Sequence, residues 1–79
     1  MKAKVYVTLK DGVHDVQGEA VLGTLKHMGF ASVGEVRVGK YIELNLDGMP
    51  KPQAEKKVKE MCDKLLANTV IESYRYEIE

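Results

Sequence analysis

The chain has 79 residues, 44% hydrophobic and 30% charged, a globular balance that excludes both a disordered segment and a bundle of membrane spans. At 8.8 kDa a compact fold would expose roughly 4,800 Å² against roughly 12,800 Å² unfolded, a thin margin for a monomer. Twelve Lys and Arg balance twelve Asp and Glu, so no net field draws the chain to nucleic acid or anionic lipid, and its single cysteine forms no intrachain disulfide. No apolar signal segment follows Met1-Lys2-Ala3-Lys4, so one domain over residues 1–79 is expected in a reducing, cytoplasmic compartment.

From Lys2 to Lys10 polar and apolar residues alternate, with Ala3, Val5, Val7 and Leu9 on one side, which predicts a half-buried strand. Asp11-Gly12 closes it. Asp15 is placed to N-cap a helix over Val16–Met28 whose apolar stripe is Val21, Leu25 and Met28, with Gly29 at the C′ position. Internal Gly18 and Gly23 weaken that helix. Between Glu35 and Asp47, residues Val36, Val38, Ile42, Leu44 and Leu46 share one parity that only Lys40 breaks. A hairpin at Gly39-Lys40 would split this set between two faces, so one long strand kinked at Gly39 is predicted. The loop Asp47–Pro52 precedes a second helix, which carries Ala54, Val58, Met61, Cys62, Leu65 and Leu66 at helical spacing. Asn68 is expected to end it in the left-handed conformation, and a last strand runs from Val70 to Ile78.

The order β-α-β-α-β predicts an α+β two-layer sandwich: a small three-stranded sheet, its second strand long and kinked, with two helices on one face. The open face would then carry Tyr6, Arg37, Tyr41, Glu43 and Asn45, amphipathic rings and charges suited to an interface. Two free sheet edges and a small core predict a homo-oligomer formed through the sheet, most simply a dimer.

The chemistry-bearing residues form no complete active site. Gly34–Tyr41 matches the start of a phosphate-loop pattern, yet Tyr41 stands where that loop needs Ser or Thr, and the match falls inside a predicted strand. Cys62 lies on the apolar face of the second helix, where a cysteine serves as a small core hydrophobe. His14 and His27 lack companions at metal-ligand spacing, and Asp11, Asp15 and Glu19 are better explained by capping and first-turn electrostatics than by acid–base work. Tyr6 and Tyr41 could form a stacking platform for single-stranded RNA, but the neutral chain supplies no basic groove.

The runs Val36-Arg37-Val38-Gly39-Lys40-Tyr41-Ile42-Glu43-Leu44 and Val58 to Glu77, with Lys4–Lys10 and Asp15-Val16-Gln17-Gly18, resemble the PurS family, the small subunit of phosphoribosylformylglycinamidine synthase. Val16 departs from the family, which commonly has proline there, and nothing specific is recognised in Asp47–Gln53. The resemblance implies a subunit of an ATP-dependent ligase complex of purine biosynthesis, not catalytic by itself. In such a complex a large synthetase subunit uses ATP and Mg, a glutaminase subunit releases ammonia, and the small subunit, binding no cofactor or metal, holds the two together for ammonia transfer. The implied partners are a second copy, in a dimer or higher oligomer, and those two subunits, with no nucleic acid or membrane. Arg37, Gly39, Lys40 and Tyr41, with Tyr6 on the open face, are the expected partner contacts, since Lys40 interrupts an apolar parity and Gly39 permits the kink that would present it. The competing readings are a small dimeric metabolite-binding regulatory module, a single-strand RNA binder and a reactive-thiol enzyme.

Overall fold

The structure is a computed structural model covering residues 1–79. Strand β1 (Lys2–Leu9) leads to helix α1 (Val16–His27), strand β2 (Lys40–Asn45), helix α2 (Lys51–Met61) and strand β3 (Glu72–Ile78), with one π-helical turn over Cys62–Leu66. The strands form an antiparallel sheet in the order β2-β1-β3. Register places Tyr6 opposite both Tyr41 and Arg75, and Val5 opposite both Ile42 and Tyr76. The predicted α+β order and three-stranded sheet are therefore present.

Alternation decides the two faces of β1. Ala3, Val5 and Val7 are buried together with Ala54 and Val58 of α2 and Cys62 of the turn that follows it, and Leu46 and Ala67 complete this core. The helix starts at Lys51, inside the predicted loop, because Pro52 sits in the first turn, where no backbone donor is needed.

Two details of the sandwich differ from expectation. The second strand is not long: Glu35–Gly39 lies outside it, since the Val38 N–H donates to the Asp15 carboxylate rather than to a sheet neighbour. At Gly39 the backbone passes so close to the Val7 carbonyl that an added Cβ would stand 2.3 Å from its oxygen. The second correction concerns the helices, which do not share one face. Gly18 is the only buried residue of α1, and Val21 and Met28 of the predicted stripe are 42% and 64% exposed. Outer strands about 10 Å apart leave room for one helix of about 10 Å diameter, and α2 occupies it.

Helix α1 is nonetheless well formed. Asp15 accepts from the Gly18 N–H at 2.8 Å, the predicted N-cap. At the other end Gly29, at φ 98°, allows the Gly29 and Phe30 N–H groups to reach the Lys26 and Leu25 carbonyls in a Schellman motif. The helix thus projects from the sheet as a capped arm. The Cα radius of gyration is 16.0 Å, against about 12 Å for a compact chain of this length. The accessible surface of 5655 Å² likewise exceeds the roughly 4,800 Å² of a compact fold.

Candidate interaction surfaces

The outer face of the sheet is built in cross-strand rows by the register of β1. The first row is Tyr41, Tyr6 and Arg75: the two rings lie 5.1 Å apart at 32°, and the Arg75 guanidinium carbon sits 3.9 Å over the Tyr6 ring. The next row is Glu43, Lys4 and Glu77, flanked by ion pairs from Lys2 to Glu43 and from Lys4 to Glu79. The Tyr41 hydroxyl donates to Glu43 at 2.8 Å; partial burial and then the carboxylate push its pKa up. Rings backed by paired charges of both signs form a flat, polar-rimmed patch with no net charge to attract nucleic acid.

The second surface is the α1 arm with its continuation. Val21 and Met28 of the predicted stripe are exposed, as are Val16 at the start of the helix and Phe30 just past its end, apolar surface that one chain leaves in water. Its base is a polar joint. The Arg37 guanidinium donates to the carbonyls of Leu9 at 3.0 Å, Lys10 at 3.1 Å and Val13 at 3.2 Å, which ties down the loop between β1 and α1. Asp15 divides its oxygens between the Gly18 and Val38 N–H groups, at 2.8 Å each, and these donors hold its carboxyl below the usual range, Val38 first.

Of the residues expected to meet partners, Tyr6 and Tyr41 are together on the outer face, with Tyr41 half exposed. Arg37 is not on that face; it lies in the segment before β2 with its guanidinium committed to the loop. Gly39 is placed by the close pass over Val7. Lys40 lies opposite Val7, on the inner parity, and reaches Glu72 at 3.6 Å across the end of the sheet. It helps line an open cleft of about 340 Å³ with His14, Asp15 and Gln17 at the start of α1.

The other chemical candidates fall in ordinary places. Cys62 is fully buried, and burial pushes its thiol up, away from the reactive thiolate. His14 pairs with Glu19 at 3.3 Å beside the cap. The phosphate-loop-like run Gly34–Tyr41 continues into β2, so no helix N-terminus follows it. No helix is long and apolar enough to cross a membrane. Residue spacing gave no sign of the Asp15–Val38 and Arg37–carbonyl bonds, because the partners are backbone groups 23 to 28 positions away.

These surfaces define a class: a small α+β chain with an open sheet face and an uncovered helix, surfaces of the kind that suit contact with other protein chains. Within that class the chain belongs to the PurS family, described as phosphoribosylformylglycinamidine (FGAM) synthase, whose family model matches residues 2–79. It is 54% identical over 78 residues to the phosphoribosylformylglycinamidine synthase subunit PurS of Bacillus subtilis, covering 99% of this chain and 92% of that relative. A solved structure of B. subtilis PurS superposes with a TM-score of 0.89 at 54% identity, over 99% of this chain and 96% of that one. A chain in the structure of PurLQS from Thermotoga maritima superposes with a TM-score of 0.88 at 32% identity, over 96% of this chain and 93% of that one.

Proposed function

We propose that this chain is the non-catalytic small subunit of the phosphoribosylformylglycinamidine synthase complex in de novo purine biosynthesis. The complex converts formylglycinamide ribonucleotide, glutamine, ATP and water to formylglycinamidine ribonucleotide, glutamate, ADP and phosphate. The small subunit bridges the glutaminase and synthetase subunits and supports ammonia transfer between them, in the cytoplasm. ATP and Mg act on the large subunit, and this chain binds no cofactor. The observation that carries the reading is the likeness, over nearly the whole chain, to a chain in the structure of PurLQS from Thermotoga maritima.

The geometry supports the same reading at two places. The exposed apolar side chains of α1, rather than the sheet face expected from the sequence, are covered by a second copy, which makes the working form a dimer or a higher oligomer and offsets the surface excess of the single chain. The Tyr41–Tyr6–Arg75 row and its charged rim then offer a face to the larger subunits, with Tyr6 and Tyr41 as its centre. Arg37, Gly39 and Lys40 shape the neighbouring joint and sheet end.

Mixing the glutaminase and synthetase subunits with and without this chain, followed by size-exclusion chromatography with light scattering, tests the bridge. A species containing all three chains, absent when this chain is omitted, is the expected result. Glutaminase and synthetase that associate equally well without it would contradict the bridging role.

A further inference from the structure

The segment Val36–Gly39 is fastened on both sides by polar and close backbone contacts, while Val36 and Val38 are only half-buried and stand outside the hydrophobic core. Towards α1 it is held by the Val38 N–H on Asp15 and by a close pass at Gly18, where an added Cβ would stand 2.2 Å from the Val36 carbonyl oxygen. Towards β1 it is held by Arg37, which donates to the Leu9, Lys10 and Val13 carbonyls, and by Gly39 against the Val7 carbonyl. Hydrogen bonds are directional whereas apolar contact is not, so this set fixes an angle where a greasy seam would allow sliding. The angle is that of α1 to the sheet, and beyond Gly18 no residue of that helix is buried.

We propose that Arg37 and Asp15 are positioning residues that lock this joint, set the direction of the α1 arm and thereby govern self-association. The proposal rests on the reading that a second copy covers the α1 stripe. An arm presented at one angle can match a partner without first being ordered, whereas a swinging arm loses affinity to that ordering.

Sedimentation equilibrium, with thermal unfolding alongside, tests this on the full chain as wild type, Arg37→Ala, Asp15→Asn and Val58→Ala. Asp15→Asn keeps an oxygen for the Gly18 cap while giving up the second carboxylate oxygen that serves Val38, and Val58→Ala destabilises the core far from the joint. The expected result is self-association at least tenfold weaker in Arg37→Ala and Asp15→Asn, with thermal midpoints no lower than that of Val58→Ala, which associates like wild type. Joint variants that associate within twofold of wild type would overturn the proposal alone, as would an equal loss in Val58→Ala. A wild-type chain that stays monomeric would overturn the reading of a covered arm, and the proposal with it.

Discussion

Asp15, a residue only 6% exposed, accepts two backbone N–H groups on its carboxylate, and these favour its charged form. Its carboxyl is held below the ordinary value of 3.8. A depressed native pKa means that the unfolded chain takes up the proton first as pH falls. The stability from Asp15 is therefore complete above that ordinary value and is lost as pH drops through the lowered one. Acid unfolding followed by circular dichroism checks this: Asp15→Asn is expected to have a flatter acid limb than wild type. The cap half of this role was legible, since an aspartate three residues before Gly18 opens a helical run; the Val38 half was not, because the donor is a main-chain group far along the chain.

Asp63 and Tyr74 form a second residue pair with a spectroscopic signature. The Tyr74 hydroxyl donates to Asp63 at 2.6 Å, which pushes the phenol up to about 12 and, with Lys59, holds the carboxyl down. Ultraviolet titration of the tyrosines is expected to show a late step near 12 that moves to lower pH in Asp63→Asn. At Lys40 the structure changes how an interface test is designed. Glu72, only 16% exposed at its side chain, lies 3.6 Å from the ammonium, so Lys40→Glu would set two carboxylates together and strain the sheet end as well as any partner contact.

At the scale of elements, the period of the second helix was readable as far as Cys62 and misleading just beyond it. The Ala67 N–H reaches the Cys62 carbonyl, five residues back, so the last turn is wider than an α-turn. The extra residue turns Leu65 outward to 81% exposure and brings Leu66 and Ala67 against the core. Leu65→Ser is expected to change stability by no more than about 0.5 kcal/mol, whereas Leu66→Ser costs about 2 kcal/mol. Urea unfolding separates the two, and equal costs would mean that the α-period continues. Asn68 likewise departs from expectation: no non-glycine residue has positive φ, and its side chain accepts from the Val70 N–H at 3.2 Å to form the turn into β3.

At the scale of the whole molecule, alternation in β1 and the α2 stripe specified which faces meet, so the sheet and its single helical layer were legible. The place of α1 was not. Periodicity identifies an apolar stripe without saying which chain will bury it, and here three strands have room for one helix. The chain is a PurS-family subunit, and the proposed coupling role draws on the arm and the sheet face that it leaves uncovered.

The most direct measurement compares synthase turnover by the large and glutaminase subunits with and without this chain, once with glutamine and once with ammonia as nitrogen donor. The account predicts that glutamine-driven turnover requires the chain while ammonia-driven turnover by the large subunit does not. Glutamine-driven turnover that is unchanged when the chain is omitted would contradict it.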